Sequence, residues 1–162
     1  MSKGSVYFVN TQKLDRIYAR VTVSRSAITS VSYMQASKIF LSTCEELNLT
    51  VWYLDASKES RREKRLNILY QVKMYRPAYH VRYLPRLDSS GNLLKETSEG
   101  DRFILSYESG EWDMFEVEDA AHPSGRKINL VETDKTKEHE KALTAIDHHI
   151  NLNLIVTSCE GG

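Results

Sequence analysis

A chain of 162 residues with 41% hydrophobic and 27% charged side chains is long enough to bury roughly two thirds of the surface its unfolded form exposes, so no disulfide or metal is needed to hold it. Seven Gly and three Pro argue against long disordered tracts. Uncharged apolar runs such as Val6–Val9 and Leu152–Val156 fall far short of the roughly twenty residues of a membrane-spanning helix, so no membrane partner is expected. The zero formal net charge hides a split, with 15 Lys+Arg against 6 Asp+Glu in residues 1–86 and 7 against 16 in residues 87–162.

Strict alternation opens the chain. Val6 and Phe8, then Ile17, Ala19, Val21 and Val23, fall at period two and predict a hairpin of half-buried strands turning near Asn10–Lys13. The period then changes. Ala36, Ile39, Phe40, Thr43, Cys44 and Leu47 recur at steps of three and four, which predicts a helix over 34–47 with Ser32 as its N-cap and Asn48 as its stop.

Thr50–Leu54 has the β-branched and aromatic density of a buried strand. Residues 57–65 are helix-tolerant but show no apolar face. Leu66–Met74 and Tyr79–Leu84 both alternate and are expected as paired strands, with a helix over 57–74 as the competing reading. A polar, turn-rich loop over 87–100, marked by Ser89-Ser90-Gly91-Asn92, sits where the charge changes sign. Arg102–Tyr107, Trp112–Val117 and Lys127–Val131 then predict an antiparallel meander, Lys135–His149 a second helix, and Leu152–Thr157 a closing strand. No internal repeat and no linker stand out. The expected architecture over 1–162 is therefore a single α+β domain, a mostly antiparallel sheet with two or three helices packed on it.

The charge split supplies the functional candidates. Arg61, Arg62, Lys64 and Arg65 form a dense cationic cluster, continued by Lys73, Arg76, Arg82 and Arg86 among Tyr70, Tyr75, Tyr79 and Tyr83. Positive charge attracts phosphates and interleaved rings can stack on unpaired bases, so single-stranded DNA or RNA is one reading of this basic face. Glu108, Glu111, Asp113, Glu116, Glu118 and Asp119 define an acidic face suited to a basic partner. If folding joins the two sets in ion pairs, the asymmetry is structural.

Catalytic patterns are weaker. His148 and His149 are adjacent, with His139 some three helical turns before them, a spacing that does not converge on one metal. His80, beside Tyr79 and Arg82, is a lone acid–base candidate for a small hydrolase, with the His148–His149 pair as the other. His122 falls in a turn before Pro123, and Gly161-Gly162 reads as a frayed end. Cys44 is expected in a helix core and Cys159 in a mobile tail, both as free thiols of a leaderless cytoplasmic protein, with a Cys44–Cys159 bridge as the alternative that nothing local requires. The sequence thus points to a non-catalytic binding protein, a regulatory or inhibitory module docking through charged faces on a larger protein or nucleoprotein assembly. It calls for no cofactor and no metal, and it leaves the oligomeric state open.

Overall fold

A computed structural model of the protein describes residues 4–55, 65–93, 101–122, 125–137 and 139–161. Alternation at the N-terminus produces the hairpin expected there, with strand β1 (Gly4–Asn10) antiparallel to β2 (Lys13–Ser24). Four strands follow as a meander, β3 (Ile28–Met34), β4 (Ile39–Cys44), β5 (Asn48–Asp55) and β6 (Arg65–Lys73), paired in that order. A second four-stranded meander repeats the arrangement with β7 (Ala78–Leu84), β8 (Asp101–Tyr107), β9 (Glu111–His122) and β10 (Gly125–Lys137). The last pair is β11 (Leu143–His149) and β12 (Leu154–Cys159), linked by a 3-10 turn at Ile150–Leu152.

The α+β expectation is overturned, because the described residues contain no α-helix. Residues 34–47 are the end of β3, a turn, β4 and a second turn. Lys38 and Leu47 take left-handed backbone angles (φ 56° and 64°), which no right-handed helix tolerates. The helical spacing arose because β4 is covered on both faces, so that Ile39, Leu41, Thr43 and Cys44 are all buried with Phe40 half-buried, and a continuous apolar run fits either period. Cys44 is thus a core residue of a strand, and Cys159, rather than lying in a loose tail, pairs with Leu143 in the final ladder.

The second expected helix, over 135–149, is the end of β10, a connection and β11. Here the false signal comes from a bulge. The pairing of β11 with β12 skips Thr144, so Leu143 and Ile146 lie three positions apart on a strand instead of two. The alternative helix over 57–74 fails for its described part, which is β6; residues 56–64 lie outside the described residues. Leu66–Met74 and Tyr79–Leu84 contain strands as expected, but they do not pair with each other. β6 is the last strand of one sheet, bonded to β5, and β7 is the first of the next, bonded to β8. The expected meander of β8, β9 and β10 is present.

The sheets stack face to face. Ile39, Leu41, Leu49 and Val51 of one complete sheet pack against Val81, Phe103, Leu105 and Val117 of the other to form the main core. On the opposite face of the first sheet, Trp52 and Phe40 meet Phe8, Val21 and Val23 of the N-terminal hairpin. The Trp52 indole N–H, fully buried, donates to the Ser42 hydroxyl at 3.1 Å, which satisfies the one polar group a buried Trp carries. Gly110 (φ 81°) closes the turn before β9, and a Cβ there would stand 2.3 Å from the His139 carbonyl oxygen, so the position has room only for glycine.

No internal repeat was visible in the residues, yet the structure repeats itself in detail. The first hairpin of each unit has one register, with Met34 opposite Ile39, Leu84 opposite Arg102 and His149 opposite Leu154, and the same bulge at Thr29, Tyr79 and Thr144. Such four-stranded antiparallel units, stacked with their first strands gathered on one side, make a propeller-like fold.

Candidate functional site

The first strands β3, β7 and β11 lie side by side, held by side chains where no ladder runs. Ser30 and Ser32 hydroxyls accept the backbone N–H groups of Val81 (3.1 Å) and Tyr83 (3.0 Å), and the Thr29 hydroxyl donates to the Ala78 carbonyl (3.1 Å). Small hydroxylated residues alternating on β3 thus bring β7 close enough for direct contact between sheets. At one end the Tyr83 hydroxyl donates to buried Asp101 (3.0 Å), which also accepts the Ser37 backbone N–H (2.7 Å) and the Ser37 hydroxyl. Burial pushes the Tyr83 phenol above its usual value, and the Asp101 carboxylate adds to the shift.

Along this end runs an open depression of about 470 Å³ lined by Tyr33, Arg82, Tyr83, Leu93, His148 and Ile150. A second depression, of about 540 Å³, shares Pro85 and Ile150 with it and adds Arg86, Arg102, Asn151 and Asn153. At the exposed rim Arg82 Nη2 lies 2.5 Å from Asp147 Oδ1. The Asp147 carboxyl is held below the usual carboxylate range by the His148 backbone N–H and by Arg82. Aromatic, cationic and aliphatic groups therefore line one shallow surface, with the Asp147 carboxylate beside it at the rim.

Of the basic residues singled out in the sequence, Arg61, Arg62 and Lys64 lie outside the described residues, and Arg65 opens β6. Lys73 is exposed at the end of β6, and Tyr79 is exposed at the β7 bulge. Two of the remaining arginines, Arg76 and Arg86, meet the acidic set, whereas Arg82 pairs with Asp147. Half-buried Arg76 binds Asp113 at 2.7 Å and Glu111, with its guanidinium carbon 3.7 Å from the centre of the Tyr107 ring. Arg86 binds Glu116 at 3.3 Å. Burial opposes the charge on Arg76, but fully buried Asp113 outweighs it and raises the guanidinium further.

Arg76 and Arg86 are thus brought to Glu111, Asp113 and Glu116 in ion pairs, so this part of the charge split is spent inside the fold. Glu108 and Glu118 stay exposed, and Asp119 lies on β9. The histidines do not converge. His80 is half-buried opposite Ser106 on β7, His148 and His149 point to opposite faces of β11, and His139 Nε2 lies 2.8 Å from the Thr157 hydroxyl. Among the described residues no group of three or more His, Cys, Asp or Glu is placed to hold a metal ion. Cys44 and Cys159 are free thiols. Burial opposes ionisation of Cys44, but hydrogen bonds from Ser24, Ser26 and nearby backbone groups outweigh it and hold the thiol below its usual value.

Tyr33, Leu93, Asp147 and Ile150 were missed as site residues. The signal for Tyr33 was present in the first strands, where Val31-x-Tyr33, Val81-x-Tyr83 and Ile146-x-His148 repeat a β-branched residue two before a ring.

Solved structures share this propeller-like fold. The crystal structure of Chaetomium thermophilum Sqt1 bound to the N-terminus of the ribosomal protein L10 matches with a TM-score of 0.62 and 14% identity, over 90% of this chain and 33% of that one. A second crystal structure of Sqt1 from the same organism matches with a TM-score of 0.64 and 11% identity, over 98% of this chain and 34% of that one. The likeness is one of fold, and the chain spans about a third of the length of those proteins. No protein-family model matches the chain, and no curated protein matches it in sequence. No helix among the described residues is long and apolar enough to cross a membrane.

Proposed function

We propose that the protein is a non-catalytic binding module that docks on a larger protein, taking up an extended segment of it across the ends of β3, β7 and β11. The observation that carries this reading is the open, chemically mixed depression built where three first strands meet. The charged-face idea is narrowed by it. Arg76 and Arg86 are occupied by Asp113, Glu111 and Glu116, which leaves the Arg82–Asp147 rim and its apolar neighbours as the surface offered to a partner. The reading also draws support from the Sqt1 structure, in which a protein of this fold is bound to the N-terminus of another protein. The chain acts as one binding unit, because the core between its two complete sheets is continuous.

The test is retention of partners from a lysate at low and high salt, with and without nuclease, by the wild-type chain, by a Leu93→Ser/His148→Ala variant of the depression, and by an Ile68→Ser control on the outer strand β6. A protein that survives nuclease, is retained by the control and is lost with the depression variant supports the reading. Retention abolished by nuclease points instead to nucleic acid and sinks it, as does a partner indifferent to the depression variant.

A further inference from the structure

The two end hairpins are complementary halves of the unit that the middle of the chain forms twice. β11 and β12 have the register and bulge of the first and second strands, β3–β4 and β7–β8. Leu154-Ile155-Val156-Thr157-Ser158-Cys159 of β12 even repeats the chemistry of Ile39-Phe40-Leu41-Ser42-Thr43-Cys44 of β4. The N-terminal hairpin stands in the place of third and fourth strands. Its Phe8, Val21 and Val23 cover Phe40, Trp52, Leu54 and Leu66, and Val6-Tyr7-Phe8-Val9-Asn10 echoes Val51-Trp52-Tyr53-Leu54-Asp55 of β5. Each complete sheet has four strands, whereas each end hairpin has two and shares its open edge with no strand among the described residues.

Exposed apolar side chains lie where a missing half would sit. Leu154 and Val156 are 53% and 60% exposed, while Ile39 and Leu41, at the same places in β4, are fully buried by the following sheet. Tyr7, Val9 and Ile17 are exposed on the face of the N-terminal hairpin turned away from its own sheet. Val31 and Tyr33 of β3 are also exposed, although their counterparts in β7 are Val81, which is buried, and Tyr83, which is half-buried. A first-and-second-strand hairpin laid beside β1 would cover Val31 and Tyr33 with Leu154 and Val156.

We infer that two copies of this chain close a ring, with β12 of each pairing antiparallel with β1 of the other to give two composite sheets in the order β11, β12, β1, β2. The hairpins of one chain cannot do this alone, since two complete sheets plus one composite make three, below the four to eight that closed rings of this kind contain. Two copies supply six. The interface is self-complementary about a two-fold axis, as in most homodimers, and it removes the open edges of β12 and β1, which otherwise invite uncontrolled pairing. It leaves the Arg82–Asp147 pair uncovered but closes over Val31 and Tyr33, which line one side of the depression, so it narrows that surface while being tested by mass alone, without reference to the partner proposed above.

The experiment is the mass of the 162-residue chain in solution by sedimentation velocity, from low to high micromolar concentration. The expected species has twice the 18.6 kDa of one chain. Val156→Lys and Tyr7→Lys each convert it to monomer with an unchanged far-ultraviolet spectrum, since both side chains are exposed in the single chain. An equimolar mixture of the two variants regains dimer, because one composite sheet then contains two native strands. A monomer at every concentration overturns the inference and leaves another polypeptide as the occupant of the edges. So does a dimer that Tyr7→Lys leaves intact, which would mean β12 pairing with β12 or a different surface, or a mixture that stays monomeric.

Discussion

Leu41 and Val156 hold the same place in two hairpins of one register, opposite Ser32 and Asp147, yet one is fully buried and the other 60% exposed. The difference lies in what stands beyond each. Behind β4 comes a complete sheet, and the facing side of β12 is open. Position within a strand therefore sets which way a side chain points, but burial is set by the neighbouring unit. The charges repeat the lesson: Asp113, between the two complete sheets, is fully buried with Arg76, while Asp147, on the terminal hairpin, meets Arg82 in solvent.

The sharpest way to break this comparison is to cut both side chains back. Leu41→Ala should destabilise the fold by about 3–4 kcal/mol, the cost of a cavity in a core that cannot collapse around it. Val156→Ala should change stability by less than about 0.5 kcal/mol when measured dilute enough to keep copies apart. Chemical denaturation of both variants settles it, and equal losses would show that the end hairpin is as enclosed as the interior. Asp113→Ala is expected to cost about 3 kcal/mol, because it strips the buried carboxylate from a half-buried guanidinium and leaves it Glu111 and the Tyr107 ring. Asp147→Ala should leave the melting temperature where it was, the pair with Arg82 being exposed and screened. A large loss at Asp147 would mean that the terminal hairpin is held by charge.

Much of the strand content was legible. The hairpin at the N-terminus, β5, and the run from β8 to β10 each showed alternation or β-branched density, and each formed. The helices were illusions with physical causes. β4 is apolar at adjacent positions because sheets cover both its faces, and the bulge at Thr144 spaces Leu143 and Ile146 like a helical turn. The repeat was hidden because its units keep their chemistry at only some positions: Thr43, Ser106 and Ser158 retain a hydroxyl at one, whereas Met34, Leu84 and His149 differ at another. The charge split was read correctly as numbers and incompletely as geometry. Arg76 and Arg86 lie far in sequence from Glu111, Asp113 and Glu116, and only the pairing of β7, β8 and β9 brings them within reach.

The smallest of the three expected losses, after those at Leu41 and Asp113, concerns the tie between the first strands and the depression. Tyr83 donates to Asp101, and burial and that carboxylate both raise its phenol above the ordinary value of 10.0. Because the folded value is the higher one, the proton is held more tightly in the fold than in the unfolded chain. The contribution is therefore complete below about pH 10 and is lost as pH climbs past the unfolded value toward the folded one. Wild-type stability should fall steeply above pH 10, and Tyr83→Phe, which costs on the order of 1.5 kcal/mol at neutral pH for the lost bond to a charged acceptor, should fall less steeply over the same range. Denaturation midpoints of both proteins between neutral and alkaline pH provide the measurement. Parallel curves would place the alkaline loss on another buried phenol, and Tyr107, raised by burial and by Asp113 in the core between the complete sheets, is then the group to replace. That outcome would locate the pH-sensitive contact in the interior of the stack instead of at the end where β3, β7 and β11 meet.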